Sequence, residues 1–248
     1  LNAILWIELG DYPTAAANYE ELFKRFEGND DYLFNLANIY EYIDEQEKAI
    51  SIYDRIEHIY GQYLQITQQK EKIYLKLKQP EKANEEWMKL IAFSPQPDHY
   101  KGYINFLKGQ GDMEKLFDVL DKAIADNRED NSLILLYAQS EFQKGNIEQS
   151  LDLLKVPFAD RSMEAFEKVS NLVKYLPKLE ERVGTTEKVM ALCDILLETH
   201  PDDYSVRALT GDIQYQLNNA DLALKYYLSA LQKDETKFEL WQKILVIE

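Results

Sequence analysis

Cysteine, glycine and proline are all scarce in this chain, and each shortage narrows what the protein can be. The 248 residues include one cysteine, Cys193, so no disulfide can form within the chain. That fits a reducing compartment, and a bacterial periplasm also stays open because many proteins there lack disulfides. Nine glycines and seven prolines are few for a β-rich protein with many turns, so they favour a helical protein with short connections.

Long apolar runs are missing as well. No stretch approaches the roughly 18 apolar residues that a helix needs to cross a bilayer, so we expect no membrane insertion by this segment. No signal peptide is visible, but the chain opens at Leu1, inside an apolar helical pattern, rather than at Met. We therefore interpret the chain as a fragment of a longer bacterial protein, located in the cytoplasm or in a periplasm or cell envelope.

Positive charge is in short supply. Lysine and arginine together number 28 against 44 aspartates and glutamates, which gives a formal net charge of −16. A surface this acidic repels the phosphate backbone, and no run rich in lysine or arginine provides a local basic patch. We therefore expect no nucleic-acid binding. The acidic surface either favours a basic partner or keeps the protein soluble.

Catalytic and metal-binding motifs are also absent. The three histidines are far apart in the sequence, and there is no H-E-x-x-H, C-x-x-C, G-x-x-x-x-G-K-[ST], G-x-G-x-x-G or G-x-S-x-G. Cys193 falls on the apolar side of its predicted helix with Val189, Leu192 and Leu196, which indicates a buried core thiol rather than a nucleophile. The sequence therefore predicts a protein without enzyme activity, metal or cofactor.

What the sequence does contain is internal repetition with a period of 34 residues. Ala15, Ala49 and Ala83 follow one another at that spacing. A large aromatic comes four residues after each alanine, and an aliphatic comes three residues after that, so all three types share one helix face; they are Tyr19, Tyr53 and Trp87, then Leu22, Ile56 and Leu90. The small residue permits close approach of a neighbouring helix, and the aromatic fills the space beside it.

Turn residues follow the same period. Gly10, Gly111, Gly145, Gly184 and Asn218 each open a short polar turn between two amphipathic segments. The clearest pair of segments spans residues 203–235. A helical hairpin of this size cannot bury its own apolar face, so it must stack on copies of itself.

The pattern resembles the tetratricopeptide repeat family, whose 34-residue helix–turn–helix unit follows W-x2-L-G-x2-Y, then A-x3-F, then P. The matching positions are Leu36-Ala37 with Tyr40, Ala49 and Tyr53; Tyr74, Ala83, Trp87 and Pro95; and Gly211, Ala223, Tyr227 and Ala230. The resemblance implies an all-α fold, an α-solenoid in which antiparallel hairpins stack into a right-handed superhelix. We predict a single domain over 1–248 with seven repeats and a partial eighth; the repeats are 1–29, 30–63, 64–96, 97–130, 131–164, 165–203 and 204–237.

The period breaks once, since Gly145 and Gly184 are 39 residues apart rather than 34. The excess predicts an irregular insertion near 155–164, with Pro157 ending the helix predicted over 147–155. Pro177 predicts a kink or an early end in the helix predicted over 162–182. The insertion is a tolerated loop, a joint between two superhelical segments, or a partner site.

Candidate binding residues come from the resemblance, which implies that the first helix of each repeat lines a concave surface. First-helix residues not needed for packing are then candidate peptide contacts: Phe34, Asn38, Lys72, Lys101, Asn105 and Gln139, with Glu41, Gln65, Gln68 and Asp212 on the same faces. Asparagine and glutamine suit an extended peptide because each amide offers a donor and an acceptor. The alternative is that all of these are ordinary exposed helix residues.

One family subtype holds a peptide's C-terminal carboxylate with lysine, asparagine and arginine on successive first helices. Lys101 and Asn105 have the matching spacing within one helix, but Leu135 and Leu136 stand where the next asparagine belongs. We therefore predict no such clamp.

Three functions fit these observations. The first is a non-enzymatic scaffold that binds a peptide or protein on its concave surface. The second is the recruiting arm of an enzyme whose catalytic domain lies outside this segment. The third is a structural or assembly factor of a bacterial cell envelope, which the abundance of lysine, asparagine, isoleucine and tyrosine and the scarcity of arginine favour. The partner and the oligomeric state are left open.

Overall fold

The computed structural model describes residues 2–25, 31–179 and 184–247. Within those ranges the chain forms fifteen α-helices, one 3-10 helix and no strand, so the predicted all-α fold is confirmed. The elements are α1 (Asn2–Glu8), α2 (Tyr12–Arg25), α3 (Asp31–Tyr42), α4 (Gln46–Tyr60), α5 (Leu64–Lys76), α6 (Pro80–Phe93), α7 (Pro97–Gln110), α8 (Met113–Asp126), α9 (Asn131–Gln143), α10 (Ile147–Ala159), α11 (Ala165–Leu172), the 3-10 helix Val173–Lys178, α12 (Thr185–Thr199), α13 (Tyr204–Gln216), α14 (Ala220–Leu231) and α15 (Phe238–Ile247).

The helices form two compact units, the N-terminal half Leu1–Met113 and the C-terminal half Glu114–Glu248. In the N-terminal half, α1 pairs with α2, α3 with α4 and α5 with α6, and each pair packs on the helix that follows it. In the C-terminal half, α9 pairs with α10 and α13 with α14, which packs in turn on α15. The division falls inside the predicted fourth repeat, and the single superhelical domain over 1–248 stays a prediction. Predicted boundaries at 26, 29, 30 and 182 lie outside the described residues.

The turn inside each helix pair repeats a backbone conformation as well as a sequence position. Seven turn residues have positive φ, between 58° and 87°: Gly10, Asp44, Lys78, Gly111, Gly145, Gly184 and Asn218. Five of these turns follow the predicted glycine and asparagine positions. Asp44 and Lys78 occupy the same left-handed conformation without a glycine, which L-residues with long side chains adopt at a cost. The 34-residue period therefore continues through turns that carry no glycine signal.

The helix faces bury the residues that the repeat predicts. Ala15, Ala49 and Ala83 have no exposed surface, and the aromatics that follow them are at most 3% exposed. Ala223 and Tyr227 occupy the corresponding positions in the C-terminal half and are equally buried. Close approach at alanine, with an aromatic packed beside it, thus holds each pair together. Leu22 is the exception, since it is only half-buried.

The prediction that Pro157 ends its helix is wrong. Helix α10 continues through Pro157 to Ala159, where the next backbone N–H, from Asp160, donates to the Pro157 carbonyl. Pro157 lies in the last turn, where it removes one i→i−4 hydrogen bond, but both Pro157 and Phe158 are buried in the core and that burial offsets the loss. The early end predicted from Pro177 is confirmed, because α11 ends at Leu172 and Pro177 lies within the 3-10 helix.

Candidate functional site

A cleft between helices α5 and α7 brings together three of the residues named on the first-helix faces. Its volume is about 460 Å³, and it belongs entirely to the N-terminal half. The lining residues are Gln68, Glu71, Lys72 and Leu75 from α5, Trp87 from α6, and Gly102, Asn105, Phe106, Gly109 and Gln110 from α7. Gly102 and Gly109 lie seven residues apart on α7; the Trp87 ring fills the space beside Gly102, and the space beside Gly109 is open.

Trp87 lies at the base of this cleft and is held in place from several sides. Its side chain is 1% exposed, and its indole Nε1–H donates to Glu71 Oε2 at 2.8 Å. The indole stacks on the ring of Tyr103 with centroids 6.2 Å apart, and the Tyr103 hydroxyl donates to Asn84 Oδ1 at 2.7 Å. Burial raises the pKa of Glu71, and the indole N–H and Lys72 oppose that rise. The floor of the cleft is therefore apolar and rigid.

Amide side chains surround this floor on both walls. Gln68, Asn105 and Gln110 are exposed and make no hydrogen bond within the described part of the chain. Each offers a donor and an acceptor to a ligand.

The cleft carries no spare positive charge. Lys72 lies beside Glu71 and donates to Gln69 Oε1 at 3.1 Å. Lys101, one turn before Asn105, pairs with Asp98 at 3.4 Å and does not line the cleft. Lys72 is therefore the one lysine among the residues that line the cleft, and the absence of a carboxylate clamp stays a prediction.

The other predicted contacts lie away from this cleft. Phe34 is 45% exposed on α3, and Asn38 on the same helix accepts a long hydrogen bond of 3.5 Å from the Tyr53 hydroxyl. Gln139 belongs to the C-terminal half, where its Nε2 donates to Asn171 Oδ1 at 2.7 Å. That amide is used in packing α9 against α11, so it offers less to a ligand than the sequence suggests.

Sequence reasoning missed Trp87, Gly102 and Phe106 as parts of the cleft. Trp87 was assigned to the core, which is correct, but one face of its ring borders the groove. The spacing of Gly102 and Gly109, at i and i+7 on one helix face, was the available signal. Glycines at i and i+7 mark two positions on one helix face that carry no side chain. Only the packing of α5 near α7 shows that a cleft lies there.

A second cleft in the C-terminal half repeats the same plan. It lies between α13 and α15, has a volume of about 460 Å³ and is lined by Asp212, Tyr215, Tyr227, Glu239, Gln242, Lys243 and Val246. Asp212 accepts hydrogen bonds from the Tyr227 hydroxyl at 2.7 Å and from Lys243 Nζ at 2.5 Å. Burial, with help from Asp212, raises the pKa of Tyr227. Here Asp212, Tyr227 and Lys243 are already paired with one another.

Catalytic and metal chemistry find no support in the described residues. No group of three or more His, Cys, Asp or Glu side chains there could hold a metal ion. Cys193 has no exposed surface, as predicted, and burial raises the pKa of its thiol to about 12. Searching the same ranges for a helix long and apolar enough to cross a membrane finds none.

Comparison with known structures supports the fold through one chain whose TM-score exceeds 0.5. A chain of the Naa15/Naa10 complex bound to HypK-THB is 15% identical with a TM-score of 0.52, and the alignment covers 99% of this chain but 38% of that one. A tetratricopeptide repeat protein from Parabacteroides merdae is 15% identical over 99% and 96% of the two chains, with a TM-score of 0.44. A chain of the Cut9–Hcn1 hetero-tetramer of the APC/C is 10% identical over 99% and 48%, with a TM-score of 0.48.

Sequence comparison supplies the family. No curated protein matches the chain. The tetratricopeptide repeat family matches at residues 3–63 and 191–237, which lie in different halves. With its paired helices and recurring left-handed turns, the chain has the repeat architecture of this family, and the two matched segments are tetratricopeptide repeats.

Proposed function

We propose that this protein is a protein-interaction scaffold whose α5/α7 cleft binds an extended, internal segment of a partner polypeptide. The repeat fold suggests an interaction scaffold, and the family is generally non-catalytic. The observation that carries the finer proposal is the set of three unpaired amides around the Trp87 floor. Amides that are left without protein partners on both walls match the alternating N–H and C=O groups of an extended backbone.

The charge of the cleft supports an internal segment rather than a chain terminus. Glu71 and Lys72 offset each other, so neither a terminal carboxylate nor a terminal ammonium gains a net attraction. Phe106 and Leu75 add apolar wall, which suits an uncharged side chain of the bound segment. Affinity should therefore depend little on salt and little on whether the peptide ends in a carboxylate.

Selection from a phage-displayed library of random peptides, followed by fluorescence polarisation with the recovered peptides, tests this proposal. Gln68→Ala and Asn105→Ala should each weaken binding by roughly three- to tenfold, the equivalent of one lost hydrogen bond. Gln65→Ala is the matched control, because Gln65 is exposed on the same helix α5 but does not line the cleft. Amidation of the peptide C-terminus should change the affinity less than about twofold.

Two results would contradict the proposal in different ways. Recovered peptides that bind the Gln68→Ala and Asn105→Ala variants as tightly as the wild type would place the site elsewhere. Peptides that lose most of their affinity on C-terminal amidation would show that a terminal carboxylate is recognised.

Two further functions stay predictions. The chain spans 38% and 48% of the two longer chains that it is similar to, so an enzyme domain or an envelope-targeting segment outside it is compatible with the fold. The full-length reading frame decides between them: a catalytic motif supports the recruiting arm, and a missing signal sequence counts against the envelope role.

A further inference from the structure

A lysine ammonium lies fully buried where the 34-residue period breaks. Lys168, on α11, has no exposed surface, and its Nζ donates to the backbone carbonyls of Phe158 and Asp160 and to Nε2 of His200 at 2.8 Å. None of the carboxylates in the described ranges pairs with it within salt-bridge distance. The three acceptors match the three N–H groups of an ammonium, so its hydrogen bonding is complete.

This arrangement, called here the Lys168 joint, connects three elements. Phe158 and Asp160 lie at the C-terminal end of α10, Lys168 lies on α11, and His200 follows the last residue of α12. Helix ends leave their last carbonyls unpaired, and the Lys168 ammonium satisfies two carbonyls at the end of α10. Thr199 Oγ1 adds a long contact of 3.4 Å to the Phe158 carbonyl. The joint therefore holds the extended α10, the shortened α11 and α12 together.

Two basic nitrogens 2.8 Å apart constrain each other's protonation. His200 Nε2 must accept the hydrogen bond from Lys168, so the ring carries its proton on Nδ1 and is neutral. The pair can then hold one positive charge. A second proton would place two cations side by side in a buried site. Their repulsion lowers the pKa at which the pair takes up that proton.

The surrounding carboxylates do not offset the repulsion between a protonated Lys168 and a protonated His200. Asp160 accepts hydrogen bonds from Ser162 and Asn131, Asp203 accepts from Ser205, and Glu164 acts on His200 only at a distance. Burial and then Lys168 lower the pKa of His200, and Asp203 and Glu164 oppose that change without reversing it. Burial likewise lowers the pKa of Lys168 against the charge of Asp160.

We propose that the Lys168 joint is a proton-operated release in the C-terminal half, which opens when His200 takes up a second proton for the pair. Protonated His200 can no longer accept from Lys168, so the ammonium loses one of its three partners and gains a repulsive neighbour. The folded pKa of His200 lies below its unfolded value of about 6.5. The joint is therefore intact above about pH 6.5 and loosens as the pH falls from there through the folded pKa. The segments 155–170 and 196–203 are the ones that open.

Hydrogen exchange of the whole chain at pH 7.5 and pH 5.0, corrected for the intrinsic effect of pH on exchange, tests the release. In the wild type, protection of segments 155–170 and 196–203 should fall by up to about tenfold per pH unit between about pH 6.5 and the lower folded pKa of His200, and level off below it. His200→Gln should abolish that fall, because a glutamine oxygen accepts from Lys168 but takes up no proton. His58→Gln, which changes an exposed histidine of the N-terminal half, is the matched control and should keep the wild-type response.

The release is overturned if His200→Gln loses protection on acidification as the wild type does, since another group then titrates. An NMR titration of the wild-type histidines gives an independent reading that does not depend on how the variant folds. A His200 pKa at or above about 6.5 would contradict the joint directly, and one below it would support the proposal.

Discussion

Gly102 and Gly109, which both line the α5/α7 cleft, differ in how much space an added methyl group would find. A Cβ on Gly102 would lie 2.3 Å from Trp87 Cη2, whereas a Cβ on Gly109 would meet nothing within 4 Å. Both glycines are in α7, so an alanine raises the helix propensity at each site. We expect Gly102→Ala to destabilise the protein by about 1–3 kcal/mol through overpacking, and Gly109→Ala to be neutral or stabilising.

Urea denaturation of the two variants measures this difference, and indole fluorescence in a background with Trp6→Phe and Trp241→Phe reports the change around Trp87. If both alanines had the same effect, the close packing of Trp87 on α7 would be wrong. The same displacement should also weaken any peptide selected for the cleft, because Trp87 forms its floor.

At the scale of elements, a buried ion cluster joins α4, α5 and α6. Lys70 on α5 has no exposed surface and contacts Asp54 Oδ1 and Glu57 Oε2 at 2.7 Å and Glu86 Oε2 at 2.5 Å. Burial lowers the pKa of Lys70, but hydrogen bonds to the three carboxylates outweigh it and raise that pKa. Burial raises the pKa of Glu57, and Lys70 opposes the rise. Lys70 therefore links carboxylates of α4 and α6 from its position on α5, and Lys89 gives Glu86 a second, half-exposed cation.

Lys70→Met should cost about 3–5 kcal/mol at pH 7.5, because it leaves the buried Glu57 without a cation and Glu86 with Lys89 alone. Loss of Lys70 raises the folded pKa of Glu57 further above its unfolded value, so the folded state binds more protons and the deficit shrinks as the pH falls toward 5. Urea unfolding at pH 7.5 and 5.0 measures both values. Lys48→Met, which removes the exposed pair with Glu45 and a cation–π contact with Tyr40, should change stability by less than about 1 kcal/mol at either pH. An equal deficit for Lys70→Met at the two pH values would contradict the cluster's role.

For the whole molecule, the net charge of −16 makes a prediction about partners. A fluorescently labelled single-stranded oligonucleotide should show no change in anisotropy at 150 mM salt with protein up to about 100 µM, since phosphate binding needs cations that this chain does not cluster. Saturable binding under those conditions would show a local basic surface that the net charge conceals. Repeating the titration at lower salt provides the control, because any residual electrostatic contact strengthens there.

The helices, their pairing and the buried faces could be predicted because the repeat is local. Ala49 and Tyr53, for example, share a face by helical spacing alone, and their burial follows wherever a second helix packs. The turn at Lys78 could not be predicted from residue type, since its left-handed conformation comes from the repeat geometry around it. The prediction from Pro157 was wrong for a related reason. Proline disfavours helix at its own position, but burial of Pro157 and Phe158 stabilises the last turn of α10.

The sequence by itself determined the period, the fold class, the absence of catalytic motifs and the acidic charge. Only the tertiary structure decided which first-helix residues meet, because Gln68 and Asn105 are 37 positions apart and converge only where α5 and α7 pack around Trp87. It likewise paired Gln139 with Asn171 and placed Lys168 against His200. Periodicity is a property of neighbours along one helix, whereas a cleft or a buried charge depends on distances between helices.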